Sequence, residues 1–261
     1  MTLVEMLMAT GIMGILATTM AALSMAVDQS ASYNYGRSTA AQHARVALQR
    51  IDRMVTTATS VPAYPGVAVS CAQVGSYLFP DTLIVWQPGA APANAAGPPL
   101  IKEVIFYCTD PNAPNQLVEI TAPSDTRTIP MDSATLNTSS WQTTIAGIKT
   151  ASTSQKVVLT SLLRTATVSG SGTSTPRGAV RFYCDLHATA AEWTAYQAGK
   201  LTWSNIAWPQ GLYSASAALR QASVHTELQL MPVQMTGQQD SSGQLPMIFF
   251  GSAALYYQVG P

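Results

Sequence analysis

Charge is what this sequence has least of. Only 10% of its 261 residues are Asp, Glu, Lys or Arg, thirteen of each sign, so the formal net charge is zero. Soluble domains usually carry about 25%. No basic run occurs anywhere, which argues against an electrostatic partner, so no nucleic acid is expected. Cysteine is scarce too: Cys71, Cys108 and Cys184 have spacings that fit no zinc pattern, and His187, three residues after Cys184, is a weak addition. The histidines, His43, His187 and His225, are scattered and share no nucleophile motif with a Ser, Cys or Asp. There is no Gly-rich phosphate loop and no run of carboxylates suited to calcium, and DSSG at 240–243 reads as a turn. The expectation is therefore no catalytic constellation, no metal, no cofactor and no enzyme. With so few charges the surface must be covered by Ser, Thr, Asn, Gln and small residues, a common look for secreted or filament-forming proteins.

What the sequence does have is a long apolar run at its start. Residues 6–27 contain no formal charge across 22 positions. As a helix they would be about 33 Å long, the thickness of a bilayer's hydrocarbon core. Glu5 sits just inside this run, and a carboxylate in hydrocarbon is kept only where it has a partner or a task. Beyond it, Ala47, Leu48, Ile51, Met54, Val55 and Ala58 recur at three- and four-residue steps, while Arg45, Gln49, Asp52 and Arg53 fall mostly on the other side. One helix over residues 2–59 accommodates both patterns, with Asn34, Tyr35 and Gly36 softening its middle and Pro62, Pro65 and Gly66 ending it. Its first half wants lipid or other helices. Its second wants a sheet on one face, from Ala44 onward.

Strand signals dominate the remainder, at 81–86, 100–108, 116–121, 179–184, 222–231 and 247–257, with 156–163 as strand or short helix. The first three read as an antiparallel meander. Residues 122–155 show no clear period and read as loop with short irregular pieces, 169–178 as a flexible tract, and Gly251 as the mark of a bulge. The expected fold is α+β: a long N-terminal α-helix, apolar then amphipathic, packed on an antiparallel β-sheet domain. The divisions fall at 1–28, 29–60 and 61–261. Three cysteines beyond an apolar segment suggest an oxidising compartment with one disulfide and one leftover thiol. Cys71 with Cys108 closes the shortest loop, and Cys108 with Cys184 is the competing pair, since both end strands.

Thr2-Leu3-Val4-Glu5-Met6-Leu7, followed by an apolar run containing Gly11 and Gly14, resembles the start of a mature type IV pilin or pseudopilin. That family begins with an aromatic residue, then Thr-Leu-Ile/Val-Glu-Leu/Met, after a short basic leader is cut away. Met1 stands where Phe is usual, and Ala22 where many major pilins carry a helix-breaking proline. Met1 is read either as the residue after a cleavage point or as an initiator. A secretory signal peptide would need a basic region ahead of the apolar one. The globular half, with its ALQRIDR helix at 47–53, DTL strand at 81–83 and VRFY strand at 180–183, is similar to the larger J-type minor pseudopilins of type II secretion and the W-type minor pilins.

The resemblance implies that the Glu5 carboxylate meets the N-terminal ammonium of Met1 of a neighbouring copy, a pairing that removes two desolvation penalties and acts as a register device. Snorkelling of Glu5 to a membrane surface is the plainer alternative. It also implies a methylated N-terminus, and helix flexibility in the filament that Gly11 and Gly14 would permit. The implied partners are other copies of the chain or related pilin subunits, the bacterial inner membrane before assembly, a prepilin peptidase and an assembly platform. The functions implied are a structural subunit of a pilus or pseudopilus at the cell surface, serving secretion or cell adhesion, or a minor subunit that primes its tip. An extracytoplasmic enzyme or binding domain using residues 1–27 as an anchor is the reading from another class.

Overall fold

The computed structural model describes residues 2–61, 64–75, 77–95, 97–170, 173–206, 219–232 and 245–258. Helix α1 (Leu3–Thr56) runs unbroken into an antiparallel β domain, the α+β arrangement expected. Strands β1 (Val67–Val74), β2 (Tyr77–Trp86), β3 (Val104–Thr109), β4 (Leu117–Thr121) and β5 (Gln155–Thr160) form one meander in chain order. Between β4 and β5 lie α2 (Ser133–Leu136) and α3 (Ser139–Thr150). A hairpin of β6 (Thr165–Gly170) and β7 (Thr173–Gly178) follows. The last sheet has β9 (Leu219–Leu230) between β8 (Val180–His187) and β10 (Met247–Gln258), with α4 (Ala190–Gln197) after β8.

Two layers cover the five-stranded sheet, and this explains the continuous apolar runs of β2 and β3. Val69, Leu83, Val85, Tyr107 and Leu117 join a core with α1 and the three-stranded sheet. Ala68, Ile84, Trp86, Phe106 and Ile120 join a second core with Ile145 and Ile148 of α3. A strand buried on both faces has no polar alternation to show. Strand β9 has one free face and alternates as its sequence does: Val224, Thr226, Leu228 and Leu230 are buried while His225 is exposed.

The stripe of α1 that meets the domain is Gly36, Ala40, Ala44, Ala47, Ile51 and Val55. Contact therefore starts at Gly36, two turns earlier than the Ala44 expected from hydropathy. Gly and Ala are too weakly apolar to raise a hydropathy signal, yet their small size lets a helix lie close. The same closeness accounts for Gly251. The β9–β10 register is continuous from Met247 opposite Leu230 to Gln258 opposite Leu219, so there is no bulge. A methyl at Gly251 would instead come within 2.8 Å of Leu48 Cδ2 on α1.

Two further expectations are corrected. Residues 122–155 contain a real helix, α3, whose run of Ser and Thr conceals its period because only Ile145, Ile148 and Lys149 are buried. Thr143 and Thr144 turn their hydroxyls onto the carbonyls of Ser139 and Ser140 one turn back, so they do not compete with the helix ladder. The 169–178 tract is largely paired as β6–β7. Pro176 is tolerated there because a two-stranded ribbon consists only of edges.

The expected disulfide is absent. Ser70, beside Cys71, and Cys108 lie opposite Thr82 from either side, so β2 stands between the two cysteines. Two strand spacings are roughly 9–10 Å, beyond the ~7 Å reach of a disulfide. Cys184 belongs to the other sheet, and all three thiols are free. Burial pushes the Cys108 thiol up to about 11 and that of Cys184 up to about 12.

Candidate functional site

From Thr2 to Tyr35 no described residue is buried, although most of this stretch is apolar. Leu3 is 79% exposed, Met13 72% and Met20 73%. This free half-helix is about 50 Å long. Within α1 lies an apolar window of mean hydropathy 1.8 with nothing buried, long enough to cross a membrane. A membrane anchor or a signal sequence fits such a segment. Three of its threonines satisfy themselves: Thr10, Thr18 and Thr19 return their hydroxyls to the carbonyls of Met6 and Leu7, Ile15, and Leu16. That hides each hydroxyl from an apolar surrounding. Gly11 and Gly14 have nothing within 4 Å of where a Cβ would stand, and the helix is continuous through both.

Glu5 has a local role that its place in the apolar run obscured. Its carboxylate Oε2 accepts the N–H of Thr2 at 2.8 Å, and the Thr2 hydroxyl accepts the N–H of Glu5 at 3.4 Å. This is a capping box, two of the helix's orphan donors satisfied reciprocally. The signal was present as Thr-x-x-Glu ahead of an apolar run. A carboxylate in the first turn also faces the positive end of the helix dipole. Met1, the expected partner position, lies outside the described residues, as does the turn expected at 240–243.

At the other end α1 is clamped. Arg50 donates from Nε and Nη2 to the two oxygens of Glu119 at 2.9 and 2.8 Å, a bidentate fork. Tyr107 donates its hydroxyl to the same carboxylate at 3.1 Å. Burial, and then the nearby Glu119 charge, holds the Tyr107 phenol well above its ordinary range, so it stays a donor. Gln87 donates to the Met54 carbonyl at 2.9 Å and His43 shares a 3.2 Å contact with the Thr160 hydroxyl. The pairing of Arg50 with Glu119 is not legible in the sequence, because the two are 69 positions apart.

Glu119's side chain is 9% exposed and Arg50's 40%. Orphaning a buried carboxylate costs about 3–5 kcal/mol. Solvent already screens Arg50, so Arg50→Ala is expected to cost about 2 kcal/mol. Denaturant unfolding followed by tryptophan fluorescence would read it. A loss under about 0.5 kcal/mol, within the range of ordinary surface changes, would mean the fork is decoration.

His225 Nε2 lies 3.9 Å from Asp185 Oδ2, both well exposed. No group of three or more His, Cys, Asp or Glu among the described residues is placed to hold a metal. A cleft of about 550 Å³ lies between α3 and residues 122–127 and holds an Asp125–Arg127 ion pair at 2.6 Å. No protein-family model matches the chain, and neither a curated protein nor a solved structure does.

Proposed function

We propose that this chain is a structural subunit of a type IV pilin-like filament of bacteria. The observation that carries the reading is the division of α1. Residues 3–35 are unburied, and apolar as far as Val27 apart from a carboxylate near the tip, while the second half of the helix is fixed to a folded domain. An apolar helix that its own domain leaves bare needs another cover, and lipid and the helices of other copies are the two available. In the first state residues 1–28 hold the chain in the inner membrane. In the second they pack at the axis of a filament and the β domain faces outward, where its Ser/Thr-rich, weakly charged surface meets solvent. A prepilin peptidase and an assembly platform would act on the same segment.

The reading is tested by shearing cells that express the protein and probing the released fraction. Recovery in fibres that electron microscopy resolves, decorated by antibody to the β domain, is the expected result. Recovery only in membranes would leave an anchor without a filament. Counting copies per fibre by mass spectrometry separates a bulk subunit from a minor subunit at the tip.

A further inference from the structure

A cleft of about 330 Å³ opens on the face of the five-stranded sheet turned away from α1, between α3 and strands β1 and β2. Three charges from distant parts of the chain meet in it. Asp81 accepts Arg177 Nη1 at 2.9 Å on one carboxylate oxygen and the Thr82 hydroxyl at 2.7 Å on the other. Lys149 lies 3.5 Å from Asp81 and donates to the Thr82 hydroxyl at 2.6 Å. The side chains of Asp81 and Lys149 are each 10% exposed and that of Arg177 is 23%. One carboxylate thus faces two cations, and the cleft keeps a surplus of one positive charge.

It also keeps surplus donors. Arg177 Nε and Gln142 Nε2 are sealed from water with no acceptor. Each such donor costs about 1–3 kcal/mol unless something supplies one. Both side chains line this cleft, and the Arg177 guanidinium is held in place over the Phe79 ring, 5.5 Å from its centroid. The Asp81 oxygens accept from Arg177 Nη1 and the Thr82 hydroxyl instead.

We propose that this cleft binds a small carboxylate. A monovalent anion matches the single surplus charge, and the acceptor oxygens of a carboxylate suit the two donors, on Arg177 and Gln142, that lack an acceptor. The volume is at the lower end of ligand sites, so the ligand is a small acid or the last residues of a peptide with a free C-terminus. The site is independent of the filament reading, since every group in it belongs to the β domain.

Cys71 lines the same cleft and supplies the readout. The full-length protein in detergent, unassembled, is labelled with a maleimide at constant ionic strength, and the rate at Cys71 is followed by peptide mass spectrometry. Acetate, Gly-Gly-Ala and Gly-Gly-Ala amide are titrated against chloride. Saturable slowing by acetate marks a free acid as sufficient, and slowing by the peptide acid alone marks a chain terminus. Either supports the site, and the amide is expected to be inert.

Arg177→Gln is expected to abolish the protection. Asp81→Asn raises the surplus to two positive charges and is expected to lower the half-protecting concentration by about tenfold, which a merely structural cluster would not do. Buried Cys108 stays unlabelled in any folded variant. If Asp81→Asn exposes it, the wild-type titration and Arg177→Gln decide. A Cys71 rate that follows chloride at every acetate and peptide concentration would overturn the proposal.

Discussion

Cells carrying Glu5→Gln are expected to hold the protein in their membranes at the wild-type level and to shed few or no filaments. Two roles meet at this side chain, and the substitution separates them. In the single chain the carboxylate accepts the Thr2 N–H at 2.8 Å. Gln serves that position of a capping box as well as Glu does, so the start of α1 is preserved. In the proposed filament the carboxylate also neutralises a neighbour's terminal ammonium, and an amide cannot. Leaving that ammonium unpaired in an apolar core costs about 3–5 kcal/mol at every subunit added. In the membrane the same change removes a costly charge and opposes nothing.

Thr2→Ala is the complementary control. It removes the N-cap side chain, for about 1 kcal/mol of helix stability, and leaves the charge. It is expected to keep filaments. Immunoblots of membrane and sheared fractions read both. Wild-type shedding from Glu5→Gln cells would reduce Glu5 to a helix cap.

The second large effect is expected at Gly66, in the turn between helix and sheet. Its φ is +80°, where a side chain is strained, and a Cβ there would stand 2.2 Å from the Thr59 carbonyl oxygen. Nothing nearby can give way. Thr59 N–H donates to the Trp86 carbonyl at 2.9 Å, and Trp86 N–H donates to the Gly66 carbonyl at 2.8 Å, so three segments are stitched together at that point. A left-handed conformation costs a non-glycine residue about 1–2 kcal/mol. Forcing backbone apart adds about 1–3 kcal/mol more. Gly66→Ala is therefore expected to lose roughly 3 kcal/mol, or to fail to fold. Gly147→Ala in α3, with nothing within 4 Å, is expected to be neutral or slightly stabilising. Equal denaturation midpoints for the two variants would show that the turn relaxes.

Those two positions also show what the sequence discloses. The apolar run, the helix and the buried strands are legible because burial on one face, on both faces or on none each leaves its own pattern in hydropathy. Gly66 is legible as a helix stop, but its clash with Thr59 is a matter of three segments meeting. Helix α3 was hidden by its composition, and the β6–β7 pairing by a run of Gly, Ser and Thr that suits a linker equally well. Glu5 drew attention as a charge in an apolar run, which concealed the simpler Thr-x-x-Glu cap in the same residues. The Asp81–Lys149–Arg177 cluster has no sequence signature at all. Its members come from β2, α3 and β7, and only the pairing of the strands and the seating of α3 bring them together. The disulfide failed for the same reason: loop length says nothing about which strand lies between two cysteines.

The claim on which the functional reading turns is that the bare half of α1 is covered by other copies of itself. The most direct measurement is the structure of the sheared filaments by electron cryomicroscopy. The expected map has residues 3–35 of successive copies bundled along the axis, β domains outside, and each Glu5 carboxylate within ion-pair distance of a neighbour's N-terminus. Fibres that lack this chain, or that contain it with residues 3–35 outside the core, would contradict it.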